Sequence, residues 1–360
     1  MEQPKPDVRR FLTALRREEP DRVPLSEFLM DPPVKEAFLG RHVGNSLVGT
    51  DDYDVEADVA FWAAAGYDYI HLAPWYLHLF PEGWHVTQGA YSAYSPKPVD
   101  KAWMEEHRGV ISSREDLERY PWPQLDQVQY DHLRRAGEIL PAGMGLTTGT
   151  WGILETSRQL MGFEGMCLAL YDDPGLVEGV IERVGGFLFE VFQRAAAMPG
   201  VAALWLADDL AHAEGLFLSP AFYRRALFPW FRRYGEVAAS RNLPLLYHCD
   251  GAIWEVIPDL VECGISALQP VEPKAMDIVE LKRRWGKHLA LIGNIDLGHT
   301  LTLGTPEEVE AEVRQRIREV APGGGYCVGS SNSIASYVPL ANYRAMIEAT
   351  LKWGAYPIRA

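Results

Sequence analysis

Short apolar runs separated by helical segments recur along this chain, and that alternation constrains its fold more than any other feature. Eight such runs occupy residues 23–28, 67–73, 143–150, 202–206, 243–247, 266–271, 289–295 and 325–329. Most are continuously apolar, as strands covered on both faces are. Helix signals lie between them. Ser113 opens SREDLERY with Asp116 three residues on, in the pattern of a capping box. Ser219-Pro220 and Thr305-Pro306-Glu307-Glu308 each place a capping residue before a proline. Val309, Val313, Ile317 and Val320 then follow at helical spacing, before a run of three glycines. This pattern predicts a (β/α)8 TIM barrel, α/β in class, as a single domain over residues 1–360. A helical extension is expected over about residues 1–20, and an irregular aromatic-rich insertion after the second strand, over residues 75–129. An open doubly wound sheet is disfavoured, because the turn after the first run, SEFLMDPP, has no glycine to cradle a phosphate.

The formal net charge of −15 argues against a nucleic-acid footprint, and the paired basic residues read as solvated helix faces. No apolar run is long enough for a membrane helix, and the first residues lack the apolar stretch of a signal peptide. A cytoplasmic protein acting on a small molecule is the expectation. Cys167, Cys249, Cys263 and Cys327 are widely spaced and read as reduced thiols. A homodimer is the assembly that frequency alone suggests.

In a parallel α/β protein, chemistry gathers at the carboxyl ends of the strands. The run LPLLYHCDG ends there in His248, Cys249 and Asp250. Side chains alternate along a strand, so His248 and Asp250 share a face and Cys249 points to the helices. The other expected strand ends supply Glu27, His71, Trp75, Tyr76, Thr150, Trp151, Asp208, Asp209, Gln269, Glu272, Asn294, Asp296 and Asn332. This set holds no arginine or lysine. Carboxylates crowded into one mouth persist only when protonated, hydrogen-bonded or bound to a cation. His248, Asp209 and Asp250 are therefore the candidate catalytic residues, and His248, Asp250 and Glu272 a candidate metal set. Glu27, His71, Trp75, Tyr76, Thr150, Trp151, Gln269, Asn294 and Asn332 are candidates for substrate contact. Each aspartate at a helix start has the alternative of being a cap.

The segments RRFLTALRREEPDRVPLSEF, TTGTWGILETSRQLMGFEGM, WLADDLAHAEGLFLSPAFYRRALFPWFRR, YHCDGAIWEVIPDLVECGISALQPV and APGGGYCVGSSNSIASYVPLANYRAM together resemble the uroporphyrinogen decarboxylase superfamily. The resemblance runs over nearly the whole chain and implies a barrel with its site at the carboxyl face. True decarboxylases of the family carry an arginine-rich loop after the first strand; here that loop reads FLMDPPVKE, and an acidic mouth would repel a polycarboxylate tetrapyrrole. The other branch implied by the resemblance transfers methyl groups through a corrinoid (cobalamin), on a partner protein or free. In one subgroup, zinc held by His-x-Cys and a later cysteine activates a thiol. Here Asp250 stands in place of that cysteine, and the later positions read Ser330-Ser331-Asn332, so a zinc site would be one of nitrogen and oxygen donors. The His-x-Asp-Gly pattern is more similar to the methyltransferase components of O-demethylases, which take methyl from a methoxylated substrate. A decarboxylase of a small or tetrapyrrole acid is the alternative.

Overall fold

The computed structural model describes residues 5–44, 52–80 and 106–358, and the backbone of strands Trp84–Ala90 and Val99–Met104. Seven strands form one sheet: β1 (Tyr69–His71), β2 (Gly145–Trp151), β3 (Val201–Ala207), β4 (Leu245–His248), β5 (Ile265–Gln269), β6 (Ala290–Ile295) and β7 (Tyr326–Ser330). They are parallel and lie in chain order, with helices between most of them. The first apolar run is not a full strand, which corrects the expectation of eight. It makes one parallel bridge, Leu25 to Val328 of β7. Pro24 explains the shortfall, since it has no N–H to give to a ladder; it contributes only its carbonyl, to the Val328 amide at 2.9 Å. On the other side of this segment, the Tyr69 hydroxyl of β1 lies 2.8 Å from Ser26 Oγ and donates to the Glu27 carbonyl at 2.9 Å. One segment thus touches both edges of the sheet, which must therefore curl round to meet it.

Alternation along the strands sorts the core into two layers. Ala203, Trp205, Ala207, Leu246, Ala267, Ala290, Ile292 and Cys327 pack inward, with Tyr69 and Phe28. Leu204, Leu206, Leu245, Tyr247, Leu268 and Val328 point outward into the helical layer. Burying each such leucine or valine contributes on the order of 1.5–3 kcal/mol. The helix Val8–Leu15 starts at Asp7, whose side chain accepts from the Arg9 amide. It buries Phe11, Ala14 and Leu15 against the inner layer. Its anchors lie at the amino ends of strands: Val8 N to Gly143 O at 2.7 Å, and Arg10 to Asp68. This helix closes the amino end of the sheet, and the carboxyl end is left for chemistry.

Thr305 and Glu308 form the expected capping box of the helix Pro306–Val320. Ser113 caps Arg114–Arg119, but the Asp116 carboxylate reaches the Ser112 amide at 3.0 Å instead of closing a box. After β1 the chain leaves the regular alternation for a short turn, Leu77–Leu79, and an antiparallel hairpin of Trp84–Ala90 with Val99–Met104; other parts of the expected insertion lie outside the described residues. Among those described, no helix is long and apolar enough to cross a membrane.

Candidate functional site

Strand register sets the site. Ala207, His248 and Gln269 are direct neighbours at the carboxyl ends of β3, β4 and β5. Asp208 and Asp209 follow the first of these, and Asp250 follows the second. Gly251 then turns the chain at φ +82°, with its α-carbon so close to the His212 carbonyl that a β-carbon would lie 2.6 Å from it. The result gathers one ligand atom each from Asp209, His248 and Asp250 within 4.8 Å of one another.

Hydrogen bonds decide which atoms of this group remain available. Gln269 Nε2 donates to the Asn332 carbonyl at 3.0 Å. That turns Gln269 Oε1 toward His248 Nδ1. An amide oxygen only accepts, so Nδ1 carries a proton, and in the neutral ring the lone pair is on Nε2. The Phe28 ring stacks on the imidazole at 4.7 Å and fixes its plane. Asn332 also donates through Nδ2 to Asp250 Oδ2, while Asp250 Oδ1 is buried with no hydrogen-bond partner. Asp209 Oδ1 accepts from the Asp250 amide at 2.8 Å. One imidazole nitrogen and two carboxylates are thus aimed inward with acceptor capacity left over. This donor set fits a divalent cation of borderline or hard character.

Burial pushes the Asp250 carboxyl up to about 7; His248 opposes this shift, and the charges of Asp209 and Glu272 add to it. Glu155, which the strand-end reading missed, is raised well above the usual carboxylate range by burial and then by Asp209 and Asp208. It sits in the first turn of the helix Ile153–Met161, directly after β2; an acid four residues beyond a strand end was the available signal. Asp208 is a cap, but of the helix Ile153–Met161 from the neighbouring strand's end: its two oxygens accept from the Leu154 and Glu155 amides at 2.9 Å.

The other expected residues divide. His71 lies on the floor, its ring 5.0 Å from Phe28 and its Nδ1 3.0 Å from Thr147 Oγ1. Burial, then Lys35 and His248, hold its pKa down to about 3, so it is a neutral ring. With Thr150 and Trp151 it lines a cavity of about 40 Å³. Glu272 is not in the three-residue group; its Oε2 accepts from the Gly251 amide at 3.3 Å, and it lines a cavity of about 260 Å³ with Asp296, Asn332 and Lys274. Asn294 donates to the Val271 carbonyl at 2.7 Å. Three candidates are drawn elsewhere. Tyr76 is fully buried, and its hydroxyl accepts from the Trp151 amide at 2.7 Å. Trp75 stacks on His132 at 4.0 Å. Glu27 is fully buried at the seam, where its two oxygens accept from the Ser330 amide and hydroxyl at 2.6 and 2.8 Å.

Cys249 packs in the outer layer as alternation requires, accepting from the Leu210 amide at 3.3 Å. Burial raises its thiol well above the usual range, so it is no thiolate. The expectation of a mouth without basic groups is corrected by Lys274, which lines a cavity with Glu272 and Asn332; Arg158, on the helix after β2, adds a positive charge felt by Glu155 and Asp208.

Compared with known proteins, residues 105–353 match the family model described as uroporphyrinogen decarboxylase (URO-D). The chain is 27% identical over 158 residues to the methylcobamide:CoM methyltransferase MtaA of Methanosarcina barkeri, covering 44% of each. It is 25% identical over 193 residues to a methylated-thiol–coenzyme M methyltransferase of Methanosarcina mazei, covering 53% of this chain and 48% of the relative. It is 28% identical over 163 residues to a uroporphyrinogen decarboxylase of Syntrophotalea carbinolica, covering 44% and 43%. The chain thus spans about half the length, or somewhat less, of these curated relatives. Among solved structures, a methyltransferase from Methanosarcina mazei superposes with a TM-score of 0.70 at 19% identity, covering 95% of this chain and 97% of the other; that likeness is one of fold.

Proposed function

We propose that this chain, which belongs to the uroporphyrinogen decarboxylase family, is a methyltransferase that moves a methyl group between a small methoxylated or methylated substrate and a corrinoid carrier. The observation that carries this reading is the Asp209, His248 and Asp250 group with its leftover acceptor atoms. Two relatives with methyltransferase names support it. So does the concentration of carboxylates, which disfavours a polyanionic tetrapyrrole.

Breaking a bond from oxygen or sulfur to a methyl carbon leaves negative charge on the leaving atom, and an acid or a cation must offset it. His248 Nε2, Asp250 and Asp209 are the residues that would hold zinc or a similar ion, which when bound supplies Lewis acidity to that atom. Gln269 keeps the imidazole in the tautomer with a lone pair on Nε2. Asn332 orients Asp250 by occupying Oδ2. Glu155, whose carboxyl is raised well above the usual range by burial and then by Asp209 and Asp208, stands beside the cluster. Phe28, Trp151 and neutral His71 give the floor an apolar character suited to a methyl-bearing group.

The test follows methyl transfer from methoxylated and methylthio donors to reduced cobalamin by its absorbance, together with the metal content of the purified protein. His248→Ala and Asp250→Ala should lose both signals. Equal metal content in wild type and His248→Ala would remove the metal from this reading. A second reading, decarboxylation of a small acid, draws on the Asp250 carboxyl, which is part-protonated near neutrality and so able to protonate a carbanion. Release of CO2 without methyl transfer would select it.

A further inference from the structure

Among the described residues, Arg158 has no counter-ion within ion-pair distance. It lies half-buried in the helix Ile153–Met161, with its Nε buried and without a hydrogen-bond partner. Among the described residues, no side chain or carbonyl accepts from it. That sets it apart from the other arginines that reach inside. Arg10 holds Asp21 and Asp68, and Arg22 lies 3.8 Å from Asp68 and donates to the Gly66 carbonyl at 3.3 Å. Leaving such a group unpaired is costly unless something else answers it.

Nearby acids do not. Glu155 stands three residues earlier on the same helix, a spacing at which Glu and Arg commonly pair, yet the two form no ion pair. Asp208 feels the charge of Arg158, but both its oxygens are taken by main-chain amides. The guanidinium is held instead by two rings, its Cζ lying 4.9 Å from the Phe163 centroid and 4.6 Å from that of Phe217. The two ring centroids are 5.4 Å apart, so both rings pack on one side of the guanidinium and leave its other side for a ligand. Phe217 belongs to the loop that follows Asp208 and Asp209, and its amide donates to the Leu210 carbonyl at 2.8 Å. Arg158 therefore stands about one helical turn, roughly 5.4 Å, beyond Leu154 and Glu155, on the flank of the acidic group.

We propose that Arg158 is the carboxylate receptor of this site, so that the methyl-bearing substrate is a small monocarboxylic acid anchored at Arg158 with its methyl end toward His248. A planar two-oxygen anion matches the fork of N–H groups. The surrounding Asp209 and Asp250 repel a dianion more than a monoanion, which favours carboxylate over phosphate. The substrate half of this inference rests on methyl transfer; the anion site does not.

Calorimetry on the full chain tests it, with 4-methoxybenzoate and methoxyacetate as acids and 4-methoxybenzyl alcohol and 2-methoxyethanol as their neutral counterparts. Wild type should bind at least one acid about ten-fold or more tightly than its alcohol. Arg158→Gln should erase that preference. Arg158→Lys should recover part of it, because an ammonium keeps the charge and loses the fork. Phe217→Leu, which keeps the guanidinium but loosens its clamp, should weaken acid binding by a smaller factor and serves if Arg158→Gln folds poorly. Equal binding of acids and alcohols by wild type, or an undiminished acid preference in Arg158→Gln, overturns the assignment. Arg158-dependent binding of acids without transfer to cobalamin keeps the anion site and removes the methyl-transfer reading. Transfer from the acid donors that is unchanged in Arg158→Gln keeps that reading and removes the anion site.

Discussion

Glu27 and Asp250 are both acids whose carboxyl groups burial pushes far up, to about 8 and about 7. They lie at two ends of the same chemistry and do different things. Glu27 has both oxygens engaged by Ser330, across the seam between the first apolar run and β7. Asp250 has one oxygen held by Asn332 and the other buried without a partner. A shifted pKa marks loss of water, which both share. Unused hydrogen-bonding capacity aimed at a common point is what separates a site from a staple.

The largest effect that could break this contrast is on metal and turnover. Asp250→Ala or His248→Ala should abolish stoichiometric metal binding and lower methyl transfer by about 10²–10⁴-fold, while thermal stability stays near that of wild type. Glu27→Ala should do the reverse: it strands the Ser330 amide and hydroxyl, at a cost of about 1–3 kcal/mol in denaturant unfolding, and leaves metal binding unchanged. Loss of metal from Glu27→Ala, or a comparable loss of stability in Asp250→Ala, would erase the distinction.

A smaller effect is expected at Gln269. Gln269→Ala frees the His248 ring and should weaken zinc or cobalt(II) binding by about 10–100-fold, measured by competition with a chelator. Smaller again is the pH dependence. A ligand carboxyl must shed its proton to bind a cation, so metal affinity should climb as pH rises toward about 7 and level off above it; Asp250→Asn should remove that climb. Glu27 gives the complementary sign in stability. Its folded pKa, about 8, lies above the ordinary 4.5, so the native state holds the extra proton between these values. Stability should therefore fall as pH rises from about 4.5 to about 8, and the fall should be shallower in Glu27→Gln. A stability curve identical in the two proteins would show that Glu27 ionises freely.

The sequence pattern made His248 and Asp250 legible as a pair, because the period of two along a strand fixes which neighbours share a face. It also made the helix starts at Thr305 and Ser219 legible, since a cap needs only residues within one turn. Glu27 could not be read in this way. Its partner is 303 residues distant, and nothing local separates a satisfied acid from an unsatisfied one. Tyr76 and Trp75 follow β1 at positions suited to a mouth, but their rings found closer company in Phe187 and His132. Arg158 and Glu155 were hidden for another reason: they lie on a helix, beyond the strand ends where chemistry was sought.

What the sequence determined by itself is the alternation of strand and helix, the family, and the polar residues that end β4, because these rest on interactions between near neighbours and on side-chain periodicity. What only the tertiary structure decided is which polar atoms remain after hydrogen bonding. That residue of unspent donors and acceptors depends on partners brought together by folding: Asn332 with Asp250, Gln269 with His248, Ser330 with Glu27, and two phenyl rings with Arg158.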